Sequence, residues 1–201
     1  YPFEGKPFLE YLIEQIKGFG INEIVLLLGY LPDKIIDYFG DGSKWGVNIT
    51  YSVTPVEYET GLRIKAALND GKLESDFLFM YCDNYCPINY RRLLSDYEKN
   101  GALIQFTAYS NKDNYTKSNL VINADGLVSV YDKSRKEPNL QGVDIGYAIV
   151  NRKALDLIPD ENENFEKIVF VSEHDKNVFI DNFKELKEKC YDCNNLINYQ
   201  K

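Results

Sequence analysis

The sequence predicts an α/β protein of the Rossmann-like, three-layer α/β/α type, built on a mixed, mostly parallel sheet. Two observations lead to this fold class. Apolar runs of strand length alternate with stretches of helical periodicity through the first half of the chain. One of these runs, over residues 77–82, is wholly apolar and ends at Asp83, which is typical of a strand buried on both faces. The 201 residues suffice for one ordinary domain with a full core.

The first half of the chain is predicted to alternate between helices and strands. Residues 7–20 place Leu9, Leu12, Ile13 and Ile16 on one helical face, and two glycines end that helix. Further elements are expected in this order: a strand at 23–28, a helix at 31–39, a strand at 47–53, a helix at 60–69, the strand at 77–82, a helix at 87–99 and a strand at 102–108.

The second half contains a hairpin and a polar tail. Residues 120–123 and 127–131 flank an Asp125-Gly126 turn and predict two antiparallel strands. A strand at 143–150 and a short helix at 153–158 follow. We therefore assign residues 1–170 to one domain and residues 171–201 to a C-terminal tail, in which residues 182–190 could form a terminal helix.

The amino-acid composition argues against two classes of binding partner. The net charge is −8, and the chain has no long block of Lys and Arg, so we expect neither nucleic acid nor an anionic membrane as a partner. No apolar stretch approaches the ~20 residues of a membrane span.

The four cysteines form two close pairs, Cys82 with Cys86 and Cys190 with Cys193. Together they match a zinc site only loosely. We expect free thiols, with Cys82 as a small buried hydrophobic residue, and therefore a cytoplasmic protein. The only histidine, His174, has no second histidine for a metal site.

Asp83 is the clearest candidate for chemistry. It is predicted at the carboxyl end of a strand, the edge at which open α/β sheets bind ligands. A carboxylate at this position suits Mg²⁺ held against substrate phosphates. The alternative is that Asp83 merely caps the next helix or lies in the loop before it.

Several segments carry a family resemblance. They are residues 5–12, 29–43, 45–51 and 59–68, the strand ending at Asp83, the Asp125-Gly126 turn with Lys133, and residues 143–147. In this order and spacing, over roughly residues 3–165, the chain resembles the sugar-1-phosphate nucleotidyltransferases, especially the heptose-1-phosphate guanylyltransferase-like branch.

The resemblance implies a reaction in which a sugar-1-phosphate oxygen attacks the α-phosphorus of a nucleoside triphosphate and releases pyrophosphate. It implies that Asp83 binds Mg²⁺, the cofactor, and that Thr60 and Gly61 lie against the nucleotide base. It also places Lys133 on the sugar phosphate. Asp144 and Gly146 would contact the sugar hydroxyls. The product would serve surface polysaccharide or glycan assembly.

Most of these residues also have a purely structural interpretation. Lys133 could be a solvated residue after a hairpin, Gly61 could serve only the entry into a helix, and Asp144 could cap a loop.

The chain also departs from the family pattern. The resemblance begins after the family's glycine-rich phosphate-binding loop and first strand, so we expect this chain alone to be weakly active or inactive and marginally stable or oligomeric. Glu59 and Leu62 stand where glycines usually flank Thr60 and Gly61. The family's second metal aspartate has only a weak counterpart, Asp181.

Three functions remain open. The first is a sugar-1-phosphate nucleotidyltransferase. The second is a degenerate member that binds a nucleotide or sugar nucleotide without catalysis. The third is a glycosyltransferase of related architecture, which ranks last because residues 83–85 lack the second aspartate of an Asp-x-Asp motif.

Overall fold

A computed structural model describes residues 2–124, 126–166 and 178–182. Its strands and α-helices are, in chain order, β1 (Pro2–Phe3), β2 (Lys6–Pro7), α1 (Phe8–Lys17), β3 (Glu23–Leu28), α2 (Pro32–Phe39), β4 (Asn48–Val53), α3 (Thr60–Asn69), β5 (Asp76–Met80), α4 (Tyr90–Asn100), β6 (Ile104–Tyr109), β7 (Leu120–Ile122), β8 (Val128–Tyr131), β9 (Val143–Asn151) and β10 (Val178–Asn182). Two short 3₁₀ helices cover Ser43–Trp45 and Arg152–Leu157.

The chain divides into two compact units, and the first comprises residues 2–76 and 152–166 of the described chain. Its strands β3 and β4 pair in parallel, with Leu28 opposite Val53 at their carboxyl ends. The periodic apolar face of α1 is buried as expected. Ile13 from that face packs with Phe39, Val47 and Ile49 into a core cluster.

The second unit comprises residues 77–151 and 178–182 of the described chain. Its sheet has the strand order β10-β6-β9-β5. The sheet is mixed, because β10 runs parallel to β6 whereas β9 runs antiparallel to it. Strand β6 is the most deeply buried, since every residue from Ile104 to Ala108 is shielded from solvent. Strands β7 and β8 form the expected antiparallel hairpin.

Several expectations about the residues on either side of Asp83 were wrong. Strand β5 ends at Met80 and its apolar residues are half-buried, so Cys82 lies beyond it and is exposed rather than buried. Helix α4 begins at Tyr90, not at 87, because the side chain of Asn89 caps it by accepting a hydrogen bond from Arg92 N at 3.1 Å. Cys82 and Cys86 are free thiols, as expected.

Some expectations fall outside the described residues: Asp125 of the hairpin turn, His174, Cys190, Cys193 and the terminal helix beyond Asn182. Within the tail, the described segment Val178–Asn182 is strand β10, which places Asp181 opposite Thr107 of β6. None of the described helices is both long enough and apolar enough to cross a bilayer.

Candidate active site

Asp83 lies in the loop between β5 and α4, three residues beyond Met80. Its side chain is exposed. The cap of α4 is Asn89, so Asp83 does not cap the helix, although its position agrees with the other structural interpretation, a residue of the loop before the helix. Among the described residues, no hydrogen bond or ion pair engages the Asp83 carboxylate. It is therefore available to an exogenous cation.

The loop that carries Asp83 is tied to strand β9. The Tyr81 amide donates to Gly146 O at 3.0 Å, and the Asn84 side chain donates through Nδ2 to Ile145 O. These two contacts lie on either side of Asp83. They hold its backbone against the segment of β9 that the family resemblance assigns to the sugar.

Tyr147 adds a third connection. Its side chain is fully buried in β9, and its hydroxyl donates to Asn84 O at 3.1 Å and accepts from Cys86 N at 3.1 Å. Tyr147 was not among the candidate residues predicted from the sequence. A tyrosine inside the apolar run 143–150 was the available signal, because a buried phenol usually has a hydrogen-bond partner.

Asp144 and Gly146 form a tight turn within β9. The Gly146 amide donates to Asp144 Oδ1 at 2.8 Å. Gly146 has φ of +79°, and a Cβ there would lie 2.9 Å from Tyr81 Cδ2. Glycine is therefore required both by backbone conformation and by the close approach of the aromatic ring. The turn lies where the β6–β9 pairing shifts register.

Lys133 lies in a turn organised by its neighbour Asp132. The Asp132 carboxylate accepts hydrogen bonds from Ser134 N at 2.8 Å, Ser134 Oγ at 2.6 Å, Lys136 N at 2.6 Å and Glu137 N at 2.8 Å. The Ser134 side chain and then these backbone amides hold the pKa of the Asp132 carboxyl well below its usual value. The turn presents Lys133 at an exposed position.

Asn119, which sequence reasoning missed, joins the Lys133 turn to the Asp144 turn. It is only 7% exposed. Its backbone carbonyl accepts from Asp132 N at 2.8 Å, and its side-chain Oδ1 accepts from Asp144 N at 2.9 Å. The second unit thus brings Asp83, Asp144 and Gly146 into one hydrogen-bonded arrangement, to which Lys133 is connected through Asn119.

Thr60 and Gly61 lie in the first unit, at the amino end of α3. The Phe165 amide donates to Thr60 Oγ1 at 2.8 Å, and the Thr60 hydroxyl lies 3.4 Å from Asn164 Oδ1. The Gly61 amide donates to Glu163 O at 3.1 Å. These contacts close an otherwise unsatisfied helix end, so both residues have a structural task.

Glu59 is held by the same segment. Its amide donates to Asn162 Oδ1 at 2.6 Å, and its Oε2 accepts from Asn164 Nδ2 at 2.9 Å. The negative charge that the sequence introduces beside Thr60 is therefore partly stabilised by an amide donor.

The donor set suits a hard cation that is shared with substrate. No cluster of three or more His, Cys, Asp or Glu side chains occurs among the described residues, so Asp83 would supply one carboxylate oxygen and phosphates would supply others. Mg²⁺ is commonly bound by one or two carboxylates together with substrate phosphates and water.

Comparison with known proteins identifies the class. The Nucleotidyl transferase family profile matches residues 1–132, and the chain belongs to this family. A solved structure of HddC from Yersinia pseudotuberculosis is similar, with a TM-score of 0.75 at 22% identity over 90% of this chain and 79% of that one. The fold is thus the Rossmann-like α/β fold of nucleotidyltransferases, as the sequence predicted.

Several curated relatives are also similar to this chain. The "Probable glucose-1-phosphate cytidylyltransferase" of Bacillus subtilis is 27% identical over 184 residues, which cover 81% of this chain and 70% of the relative. Mannose-1-phosphate guanyltransferase of Saccharomyces cerevisiae is 24% identical over 84% of this chain and 48% of its own length. A D-glycero-alpha-D-manno-heptose 1-phosphate guanylyltransferase of Campylobacter jejuni is 38% identical over 37% of this chain and 33% of its own. The chain spans about half the length of the fungal relatives.

Proposed function

We propose that this chain transfers a nucleotidyl group to a sugar-1-phosphate, giving a nucleoside diphosphate sugar and pyrophosphate. The supporting observation is the set of hydrogen bonds that joins the loop carrying the exposed Asp83 to the Asp144–Gly146 turn, within a member of the Nucleotidyl transferase family. Relatives named as sugar-1-phosphate nucleotidyltransferases support the same substrate class. The product would serve surface polysaccharide or glycan assembly.

In the proposed reaction, a phosphate oxygen of the sugar-1-phosphate forms a bond to the α-phosphorus of the triphosphate. The bond from that phosphorus to the β-phosphate bridging oxygen breaks, and pyrophosphate leaves. When bound at Asp83, Mg²⁺ would neutralise phosphate charge. The protein itself mainly positions the two substrates and complements their charge.

Each candidate residue has a defined part in this proposal. The Lys133 ammonium group pairs with the phosphate of the sugar substrate, and its turn is held in shape by Asp132. Asp144 and Gly146 contact sugar hydroxyls through side chain and backbone. Thr60 and Gly61 lie against the nucleotide base, where the absence of a side chain at Gly61 permits close approach of the backbone. A cytoplasmic location and a homo-oligomeric state remain predictions of the sequence.

A panel assay tests the proposal. The protein would be incubated with Mg²⁺, each common nucleoside triphosphate and each of several hexose and heptose 1-phosphates, and products would be followed by phosphorus NMR. We expect pyrophosphate to appear only for a matched pair, at the low rate expected of this chain alone, and to disappear with Asp83→Asn. Pyrophosphate formation that is unaffected by Asp83→Asn would contradict the assignment of Asp83.

A second candidate is non-catalytic binding of a nucleotide or sugar nucleotide. The Glu59 carboxylate, held by Asn164 at the amino end of α3, favours it because a negative charge beside a polyphosphate is unfavourable. Calorimetric binding without pyrophosphate formation, for every pair in the panel, would support this candidate. Glu59→Gly should then strengthen nucleotide binding.

A further inference from the structure

We propose that the buried hydroxyl of Tyr147 is a positioning group for the cation site, acting through the backbone of the Asp83 loop. The inference deepens the proposed function and rests on the assignment of Asp83 as the cation ligand. Tyr147 itself touches neither substrate nor metal in this proposal. It determines where the Asp83 carboxylate is held.

The Tyr147 hydroxyl uses its donor and one acceptor position on the same short loop. It donates to Asn84 O at 3.1 Å, one residue beyond Asp83, and accepts from Cys86 N at 3.1 Å. A phenol has one O–H to donate, so this single group clamps both a carbonyl and an amide of the loop. Phenylalanine would provide the ring but neither contact.

The tyrosine that makes these contacts is itself held firmly. It has no solvent exposure, and its ring stacks on that of Tyr90 at a centroid distance of 6.4 Å. Its carbonyl accepts a hydrogen bond from Thr107 Oγ1 at 2.8 Å, which fixes its backbone to β6. These contacts hold the hydroxyl in one position in the sheet, and its hydrogen bonds in turn position the loop.

We expect cation binding to depend on how precisely the loop positions the Asp83 carboxylate. No group of three or more His, Cys, Asp and Glu side chains that could hold a metal occurs in the described chain, so Asp83 is not one member of a larger set of protein ligands that would hold the cation if Asp83 moved. A functional group must be held within about 0.5 Å of its working position by surrounding hydrogen bonds and packing. Loss of outer contacts at metal sites typically costs about 10- to 100-fold in affinity or activity.

Tyr90 provides the matched control. It is also a buried tyrosine, stacked on the same ring, and its hydroxyl lies 3.9 Å from Met80 Sδ. Tyr90→Phe therefore removes a buried phenol hydroxyl from the same aromatic pair and leaves the clamp on Asn84 and Cys86 in place.

The experiment measures Mn²⁺-dependent binding of fluorescent, non-hydrolysable nucleoside triphosphate analogues with each of the common bases. The readout is the Mn²⁺ concentration at half-maximal binding, together with the melting temperature of each variant. We expect Tyr147→Phe to raise that concentration about 10-fold, Tyr90→Phe to leave it nearly unchanged, and Asp83→Asn to abolish Mn²⁺ dependence. Tyr147→Phe should also lower the melting temperature more than Tyr90→Phe, because it removes two hydrogen bonds to the backbone of the loop.

The outcomes separate this inference from the proposed function. Equal Mn²⁺ requirements for Tyr147→Phe and Tyr90→Phe, with Asp83→Asn inactive in binding, would overturn the positioning role alone. Wild-type Mn²⁺ dependence in Asp83→Asn would overturn the metal assignment and the positioning role with it. If Tyr147→Phe does not fold, amide exchange in the wild-type protein decides: a protected Cys86 amide supports the clamp, and exchange at an unprotected rate overturns it.

Discussion

Asp83 and Asp132 are both carboxylates close to the candidate site, but their surroundings are opposite. Asp132 accepts several hydrogen bonds from its own turn, whereas no described residue bonds to the side chain of Asp83. A carboxylate that contributes little to folding can be replaced at little cost in stability, and its function can be tested in isolation.

We therefore expect Asp83→Ala to abolish Mg²⁺-dependent nucleotide binding and to change the free energy of unfolding by no more than about 0.5 kcal/mol. The matched control is Asn89→Ala, which removes the cap of α4. It should cost about 1 kcal/mol and leave Mg²⁺ dependence intact. Calorimetry and denaturant unfolding measure both quantities, and a marked loss of stability in Asp83→Ala would identify a structural residue instead.

Gly146 permits a second prediction at the residue scale. Gly126 serves as its control, because it has a similar backbone conformation but no neighbouring side chain where a Cβ would lie. Gly126 has a similar φ of +85° but open space where a Cβ would lie, whereas a Cβ at Gly146 would meet the Tyr81 ring. Gly126→Ala should cost about 1–2 kcal/mol from backbone strain alone. Gly146→Ala should cost roughly 1–3 kcal/mol more through overpacking. Equal unfolding free energies for the two variants would show that the Tyr81 ring moves aside without a loss of stability.

At the scale of elements, the Lys133 turn should depend on pH. The pKa of the Asp132 carboxyl is lowered in the folded protein from an ordinary value of 3.8. A lowered folded-state pKa means that the stabilisation is present above the ordinary value and is lost as pH falls below it. The amides of Lys136 and Glu137 should therefore lose protection in acid, which NMR can follow. Asp132→Asn should weaken the turn at neutral pH and remove this acid dependence.

Element prediction from sequence succeeded where the flanking residues marked the ends and failed where one side chain set a boundary. Strand β3 and helix α3 have the predicted bounds, because β3 ends in a continuous apolar run followed by Gly29 and α3 is followed by Asp70 and Gly71. The start of α4 was misplaced because the Asn89 cap overrides the signal of Pro87. A capping hydrogen bond is local, but which of several polar residues provides it depends on the final chain path.

The residues of the candidate site also divide into those with a local signal in the sequence and those whose role depends on distant contacts. Asp83 could be predicted as a candidate because a carboxylate after an apolar run is a local signal. Asn119 and Tyr147 could not, because their importance comes from hydrogen bonds to backbone groups that are distant in sequence. The chemical type of a residue does not indicate which remote carbonyl it will meet.

At the scale of the whole molecule, two apolar strands have one edge without a strand partner in the described chain. Among the strands that the structure describes, β3 is hydrogen-bonded to β4 alone and β5 to β9 alone. An apolar strand edge tends to pair with another chain. We therefore expect this 201-residue chain to associate as its concentration rises, with a shift in sedimentation coefficient. A single monomeric species over the full concentration range would show that these edges are protected.

The hydrogen bonds between the Asp83 loop and β9 also affect how this protein could be redesigned. Residues 81–86 and 144–147 share backbone and side-chain partners, so neither segment has an independent shape. Exchanging only the Asp144–Gly146 turn, which we propose contacts the sugar, for that of a relative would leave donors and acceptors in the neighbouring loop without partners. A chimera with altered sugar preference should therefore retain metal dependence only when both segments are transplanted together.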